Sequence, residues 1–157
     1  MAVAEKQCAK KRFVDFLAKK KLRLTAQRRA IIETVFNTEK HFTAEQLLNW
    51  SRRRDRSVSR ATVYRTLPLL TDSGLVRELD LGPDRKYYDP NYARRPRHGH
   101  IVCQDCGKIV EFESEKIERL ENQITRELGF AIKFQRLQIT GACEQLKKTG
   151  SCPRQSS

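Results

Sequence analysis

The sequence predicts an α+β protein with an N-terminal winged helix-turn-helix domain and a C-terminal α/β domain. Two observations predict this fold class. Segments with helical periodicity fill the first 72 residues and a hairpin pattern follows them, which is the element order of a winged helix. Beyond residue 97 the pattern becomes strand, strand, helix and strand. We place the domains at residues 1–89 and 98–157, with a hinge at residues 90–97.

Positive charge divides the chain at the same place. Residues 1–97 hold 23 Lys and Arg against 11 Asp and Glu, whereas residues 98–157 hold 9 against 8. A basic domain joined to a nearly neutral one indicates that the first binds a polyanion and the second has another task. The alternative, on charge alone, is a basic surface that only serves solubility.

Apolar spacing and capping residues predict the first three helices. Around residues 8–20, Phe13, Phe16 and Leu17 have the i, i+3, i+4 spacing of one helix face. Thr25 is suited to cap a second helix. The apolar stripe of that helix consists of Ile31, Ile32, Val35 and Phe36. A third helix begins at Thr43, because Thr43 and Gln46 have the spacing of a capping box.

The fourth helix has the features of a DNA recognition helix. Ser59 is suited to cap it and Gly74 to end it, and the buried stripe is Val63, Leu67 and Leu70. Tyr64 and Arg65 lie on the opposite face, where arginine can bind guanine O6 and N7 in a major groove. Pro68 lies on that outer face too, where a bend is tolerable. The alternative is a helical domain without a role in DNA binding.

The remaining strands are predicted by alternation and turn residues. Residues 75–81 and 85–89 form two strands around Gly82-Pro83-Asp84, and residues 90–97 hold two prolines and three arginines, as a hinge would. Beyond it we expect a strand to Cys103, a strand near 108–113 and a helix at 114–128. A last strand alternates through Phe130, Ile132 and Phe134, then slips, as at a bulge, to Leu137 and Ile139.

Four cysteines indicate a zinc site. Cys103-x-x-Cys106-Gly107 has the spacing of a zinc knuckle, and Cys143 and Cys152 complete a set of four thiolates. A domain of about sixty residues buries little apolar surface. We therefore expect zinc to staple the C-terminal domain and a partner subunit to supplement it. A redox pair at the CxxC is the alternative, although no thioredoxin-like pattern surrounds it.

Two histidines indicate a second metal site next to the knuckle. Ile101 and Val102 favour a strand here, so His98 and His100 share one face while Cys103 points to the other. This alternation argues for one imidazole site and one thiolate site. A single zinc site that uses both histidines and both cysteines of this stretch is the alternative.

Cysteine use and hydropathy bear on the compartment. No run of 18 apolar residues exists, and residues 1–12 lack the apolar segment of a signal peptide. We therefore expect a cytoplasmic protein that does not enter a membrane. In that compartment cysteines bind metal more often than they form structural disulfides.

Five motifs in this order and spacing resemble the ferric uptake regulator family of metal-dependent repressors, over roughly residues 10–145. They are Leu24-Thr-Ala-Gln-Arg28-Arg29, His41-Phe-Thr-Ala-Glu45, Ala61-Thr-Val-Tyr64-Arg65-Thr-Leu, Gly74-Leu-Val and His98-x-His100-x-x-Cys103-x-x-Cys106-Gly-Lys. The resemblance implies a homodimer that binds an inverted-repeat operator in double-stranded DNA when metal is bound.

The resemblance also implies which residues bind the regulatory metal and the DNA. The metal ligands fall on His41, Asp89, His98, His100 and Glu111. One ion held by all five would fix the angle between the domains across the hinge, and so the separation of two recognition helices in a dimer. Tyr64 and Arg65 match the family's base-reading pair, and Arg23 matches a basic residue that reaches the minor groove.

The donor set favours Fe2+ or Mn2+, because imidazoles and carboxylates without a thiolate suit these ions. Within the family, zinc sensors have a cysteine where Asp89 stands, and peroxide sensors characteristically have an aspartate where Glu111 stands. We interpret the chain as an Fe2+-dependent repressor of iron homeostasis genes. The alternative is a peroxide-stress repressor, in which Fe2+-driven oxidation of His41 or His98 would release the metal.

The chain departs from the family pattern in two places. Cys143 and Cys152 are separated by eight residues, which is longer than the family's usual gap. Arg97 and Gly99 stand where iron regulators often have metal-binding residues. We therefore expect no third metal site, for which only Glu118 would remain.

Two other classes of function fit part of the pattern. Two histidines and a carboxylate can hold the iron of a non-haem enzyme, but five ligands leave little room for a substrate and no cofactor motif accompanies them. A zinc-stabilised RNA-binding protein fits the charge and the knuckle, but it does not explain His41 or the helix-turn-helix. We therefore predict a regulator rather than an enzyme.

Overall fold

The computed structural model describes residues 3–80, 86–90, 97–133 and 135–150, without the side chains of residues 3–6 and 80. Contacts divide the chain into two compact units, Met1–Arg94 and Arg95–Ser157. The turn expected at residues 82–84, most of the expected hinge, Phe134 and Cys152 lie outside the described residues.

Four helices build most of the first unit. They are α1 (Val3–Lys19), α2 (Ala26–Asn37), α3 (Ala44–Arg52) and α4 (Arg60–Asp72). The first begins at Val3 rather than near residue 8. All four pack around one core, and the largest side chains of that core with under 2% exposure are Phe13, Leu17, Ile31, Phe36, Phe42, Leu47, Leu67, Leu70 and Leu75.

The predicted caps of these helices are present. Thr25 accepts a hydrogen bond from the backbone N–H of Arg28 at 3.3 Å. Thr43 and Gln46 form the full capping box, with bonds of 3.2 and 2.9 Å. The Ser59 hydroxyl accepts from the N–H of Thr62 at 3.1 Å. Each cap satisfies N–H groups that a helix start leaves without partners, and this fixes where α2, α3 and α4 begin.

The end and the outer face of α4 also match the expected pattern. Gly74 has a φ of +70°, the left-handed conformation that ends a helix most easily without a side chain. Pro68 lies inside α4 and is exposed, as are Tyr64 and Arg65. The buried face of α4 therefore packs on the core while its outer face is open to solvent.

A two-stranded hairpin completes the first unit. Strands β1 (Arg77–Asp80) and β2 (Lys86–Asp89) pair antiparallel. The first begins at Arg77 rather than at the predicted residue 75, and residues 81 and 85 of the two predicted strands lie outside the described residues. Beyond this pairing, Phe42 and Tyr88 exchange backbone hydrogen bonds of 3.1 and 2.8 Å. Burial raises the pKa of Tyr88 above its ordinary value, so its hydroxyl stays protonated. This bridge ties the segment before α3 to the end of the hairpin.

The second unit is a three-stranded sheet with two helices. Its elements are β3 (Gly99–Cys103), β4 (Ile109–Phe112), α5 (Glu115–Glu127), β5 (Gln138–Gly141) and α6 (Glu144–Thr149). The strand order is β4-β3-β5, with β4 antiparallel and β5 parallel to the central β3.

The predicted last strand is wrong over most of its length. Residues 130–133 and 135–137 are not in a strand, and only Gln138–Gly141 pairs, so the expected bulge before Leu137 is not seen. The reason is the length of the partner strand: β3 offers β5 only four register positions, from His100 to Cys103. The sequence analysis also missed α6.

The second unit leaves many apolar side chains exposed. Helix α5 has no buried residue among its thirteen. The large exposed apolar side chains of this unit are Ile101, Leu120, Ile124, Leu128, Phe130, Ile132 and Ile139. Among the described residues, no helix combines the length and the hydropathy that crossing a membrane requires.

Candidate metal and DNA-binding sites

The first unit brings one imidazole and one carboxylate together. His41 and Asp89 flank the bridge between Phe42 and Tyr88, so antiparallel pairing places their side chains next to each other. The distance between His41 Nε2 and Asp89 Oδ1 is 3.9 Å, and the Asp89 side chain is fully buried. A buried carboxylate is stable only with a compensating charge or hydrogen bonds.

The second unit brings two imidazoles and a carboxylate together. His100 lies opposite Glu111 in the β3–β4 register, and His98 precedes it by two residues. Ligand atoms of His98, His100 and Glu111 all lie within 4.8 Å of one another. The two Nε2 atoms are 3.1 Å apart, and both histidines are at most 2% exposed.

The chemistry of these two donor sets fits a divalent transition metal. Both consist of imidazole nitrogen and carboxylate oxygen, with no sulfur among the atoms that come together. Such donors suit Fe2+, Mn2+ and other borderline ions better than an ion that selects thiolates. The register explains the second set, because a strand directs every second side chain to one face.

Glycine at position 99 is explained by the neighbouring ring. A Cβ on Gly99 would lie 2.6 Å from the Phe112 ring, closer than real Cβ atoms come to a neighbour. Phe112 therefore covers the strand between His98 and His100. A residue with a side chain at position 99 would therefore have to displace the Phe112 ring before it could act as a further metal ligand.

The three described cysteines of the second unit line one cavity. Cys103, Cys106 and Cys143 are among the residues around a cavity of about 550 Å³. Their sulfur atoms do not form a group of three within 4.8 Å among the described residues. Cys143 also caps α6, since its sulfur accepts from the N–H of Leu146 at 3.4 Å.

Asp105 connects the knuckle to the segment of Cys143, a contact that the sequence analysis did not predict. Its Oδ2 accepts from the backbone N–H of Cys143 at 2.6 Å and lies 4.0 Å from the sulfur of Cys103. The pKa of the Cys103 thiol is lowered, chiefly because the backbone N–H of Cys106 donates to it. A lowered pKa favours the thiolate, which is the form that binds metal.

The outer face of α4 presents the predicted DNA-reading residues to solvent. Tyr64 is half exposed, and Arg65 is exposed as well. Arg23 is exposed just before α2, where its carbonyl accepts from the Arg28 guanidinium at 2.7 Å. A contact of Tyr64 with Glu45 of α3 was not predicted, because the two lie far apart in sequence.

Comparison with known proteins gives a consistent result. The model of the ferric uptake regulator family matches residues 19–140. The chain is 35% identical over 148 residues to the ferric uptake regulation protein of Campylobacter jejuni, covering 93% of this chain and 89% of that protein. It is 33% identical over 138 residues to the peroxide operon regulator of Bacillus subtilis, covering 88% of this chain and 93% of that one.

A solved structure agrees with the fold. The structure of the ferric uptake regulator from Pseudomonas aeruginosa with manganese superposes with a TM-score of 0.72 at 29% sequence identity. The match covers 82% of this chain and 95% of that one. The predicted fold class, a winged helix-turn-helix domain with an α/β domain, is thereby confirmed.

Proposed function

The chain belongs to the ferric uptake regulator family, and we propose that it is a repressor that binds operator DNA when Fe2+ occupies a regulatory site. The observation that carries this proposal is the pair of donor sets described above. Each consists of imidazole and carboxylate, with two donors in one unit and three in the other, and together they offer five donors to one ion.

We assign the regulatory ligands to both sets together: His41, Asp89, His98, His100 and Glu111. The support is the convergence of the donors within each unit and their match to the family motifs. A bound metal ion would offset the negative charge of the buried carboxylate of Asp89, with the imidazoles and Glu111 as further donors.

The preference for an iron sensor over a peroxide sensor rests on Glu111, opposite His100, because peroxide sensors of the family characteristically have an aspartate at this position. The absence of a thiolate among these donor atoms disfavours a zinc sensor. Mn2+ has the same preference for nitrogen and oxygen donors, and a related regulator has been solved with manganese. We therefore expect Mn2+ to replace Fe2+ in the test tube.

DNA is read by the outer face of α4. The exposed Arg65 suits a bidentate contact to guanine in the major groove, and Tyr64 suits a thymine methyl group or a phosphate. We assign Arg23, which is exposed before α2, to the adjacent minor groove, as the family motif implies. An inverted repeat requires two such helices, so the repressor acts as a homodimer, with the exposed apolar side chains of the second unit as the contact between copies. Its place of action is the cytoplasm.

Zinc in the second unit has a structural role in this proposal. Cys103, Cys106, Cys143 and Cys152 are its ligands, and the three described sulfurs line a single cavity. The test is the zinc content of purified variants. Cys152→Ser should lower zinc retention during dialysis, whereas Cys8→Ser, which removes an exposed cysteine of α1, should not.

The decisive experiment is metal-dependent binding to DNA. A duplex selected from a random library by the Mn2+-loaded protein is labelled and titrated by anisotropy with Fe2+, Mn2+, Zn2+ or chelator, under anaerobic conditions. The proposal expects tight binding with Fe2+ and Mn2+ and a large loss with chelator. Equal binding in all four conditions would overturn it.

Peroxide sensing is the second candidate, and the resemblance to the peroxide operon regulator of Bacillus subtilis favours testing it. Peroxide is added to the Fe2+ and the Mn2+ complexes after DNA binding. Two results together would establish this alternative. Peroxide would release DNA from the Fe2+ form alone, and mass spectrometry would detect an oxygen atom added to His41 or His98. Binding that survives peroxide supports the iron sensor.

A further inference from the structure

Glu45 contacts two side chains of the helix that we assign to DNA reading. Its Oε2 lies 3.1 Å from Nη2 of Arg60, and its Oε1 accepts from the Tyr64 hydroxyl at 3.3 Å. Arg60 and Tyr64 are one turn apart and therefore share a face of α4. One carboxylate on α3 thus holds two residues of the DNA-reading surface.

The position of this carboxylate is fixed by its own helix. Glu45 lies in the first turn of α3, between the two residues of the capping box, Thr43 and Gln46. A negative charge in the first turn is stabilised by the helix dipole. The start of α4 is braced independently, because the Thr62 hydroxyl donates to Gln27 Oε1 of α2 at 2.6 Å. The carboxylate and its two partners are therefore held on rigid elements.

A DNA phosphate can compete for the same arginine. The side chains of Arg60 and Glu45 are 67% and 47% exposed, and Tyr64 is 50% exposed. An ion pair with this exposure is weak, so a phosphate oxygen can displace the carboxylate from Arg60. The carboxylate remains beside the DNA surface after it is displaced, where it repels neighbouring phosphates.

We infer that Glu45 is a specificity-determining positioning residue, which lowers the affinity for arbitrary DNA and holds Tyr64 for base reading. This inference rests on the proposed function of α4. Binding to arbitrary duplexes depends on phosphate contacts, so occupation of Arg60 by a carboxylate weakens it directly. Binding to the operator depends also on base contacts, and Glu45 holds the Tyr64 side chain, through its hydroxyl, in position for such a contact.

The test compares Glu45→Gln with the wild type, both as full-length chains loaded with Mn2+. The probes are a duplex that the wild type selects from a random library and a scrambled duplex of the same length and composition. Anisotropy is measured from about 50 to 200 mM KCl. We expect the variant to bind the scrambled duplex at least about threefold more tightly than the wild type does. The slope of log affinity against log salt concentration should become steeper by up to about 0.9, which corresponds to one additional phosphate contact.

The preference for the selected duplex should fall, because both duplexes gain the phosphate contact of Arg60 whereas only the selected duplex loses the base contact for which Glu45 orients Tyr64. A purely structural role of Glu45 would lower the melting temperature but would not steepen the salt slope. Glu33→Gln is the matched control. Glu33 forms an ion pair with Arg54 at 3.8 Å, the exposed fractions of these side chains are similar to those of Glu45 and Arg60, and Arg54 is not part of α4. It should leave the slope and the preference unchanged.

A double variant locates the effect at Arg60. In an Arg60→Gln background, Glu45→Gln should tighten binding to the scrambled duplex less than it does in the wild-type background, because no arginine is released and only the repulsion of phosphates by the carboxylate is removed. The inference is overturned if Glu45→Gln keeps the wild-type preference and slope, or if Glu33→Gln changes them equally. Failure of the wild type to select any duplex would instead overturn the proposed function, and this inference with it.

Discussion

Strand register decides where single ligand side chains stand in the second unit. His100 and Glu111 are direct partners across β3 and β4, and His98 joins them because it lies two residues earlier. Gly99, between the two histidines, leaves room for the Phe112 ring to cover the strand. Two of the three ligands therefore stand on paired strands, and His98 directly precedes the first of these strands, so each ligand can be tested by itself.

Replacing one of these ligands should weaken regulatory metal binding strongly. His100→Ala removes an imidazole from a buried group of three, so we expect the affinity for Mn2+ to fall by about 100-fold or more. Isothermal titration calorimetry on the zinc-loaded protein measures it. Ile101→Thr, on the opposite face of β3, is the control and should bind Mn2+ as the wild type does. Unchanged affinity in His100→Ala would place the ion elsewhere.

The carboxylate of Asp55 should make the stability of the fold depend on pH. Its carboxylate accepts from the Ser57 hydroxyl at 2.7 Å and from the Ser57 N–H at 2.9 Å, and chiefly the hydroxyl lowers the pKa of Asp55 below 3.8. Because the pKa of Asp55 is lower in the folded chain than in the unfolded chain, these hydrogen bonds stabilise the fold fully at pH values above the pKa of the unfolded chain. This stabilisation is lost as the pH falls through the pKa of the folded chain.

The comparison of Asp55→Ala with the wild type tests this sign. The melting temperature of the variant should be lower at neutral pH, and the difference should shrink as the solution is acidified through the carboxyl range. Ser57→Ala removes the main partner and should reduce the same pH-dependent difference. A difference that stays constant into the acid range would mean that Asp55 acts through another contact.

Helix α4 combines a buried stripe with an exposed proline. Val63, Leu67 and Leu70 are at most 1% exposed, whereas Pro68 lies on the outer face. A proline inside a helix lacks the N–H that would bond to the carbonyl four residues earlier. The packing of the buried face therefore maintains a helix that its own sequence weakens at this point.

Removing this proline should stabilise the first unit. We expect Pro68→Ala to raise the free energy of unfolding by about 2 kcal/mol, since it restores the hydrogen bond but adds freedom to the unfolded chain. Urea unfolding followed by circular dichroism measures the change. Arg65→Ala, on the same exposed face, should change stability by no more than about 0.5 kcal/mol. A loss of stability in Pro68→Ala would show that the core needs the bend.

At the scale of the whole molecule, the second unit keeps several large apolar side chains exposed. Leu120 and Ile124 of α5 are 55% and 45% exposed, Leu128 at its C-terminal cap is 67% exposed, and none of the residues of that helix is buried. Contiguous exposed apolar surface of this kind marks an interface between proteins. A second copy of the chain fits this role, because an inverted-repeat operator requires two DNA-reading helices.

Negative charges introduced on this surface should dissociate the dimer. We expect the double variant Leu120→Glu/Ile124→Glu to sediment as a monomer and the wild type as a dimer, because two carboxylates would be buried without partners in the interface. Val14→Glu is the control, since Val14 is an exposed apolar residue of α1, in the first unit. A variant that remains dimeric would exclude α5 from the interface.

The elements of the first unit could be predicted largely from local signals. Thr25, Thr43 and Ser59 cap the three helices that they were expected to cap, because capping and apolar periodicity depend on residues within a few positions. The last strand was predicted too long, because Phe130 and Ile132 alternate as in a strand without a pairing partner. Alternation alone does not show where partner strands end.

The fold class, the family and the residue types available for metal and DNA could all be inferred from the amino-acid sequence. Which of these residues meet became visible only in the folded chain. His41 approaches Asp89 because Phe42 pairs with Tyr88, and Glu45 reaches Arg60 and Tyr64 because α3 packs beside α4. The physical reason is that contacts between distant segments depend on packing and chain closure, to which no short window of sequence is sensitive.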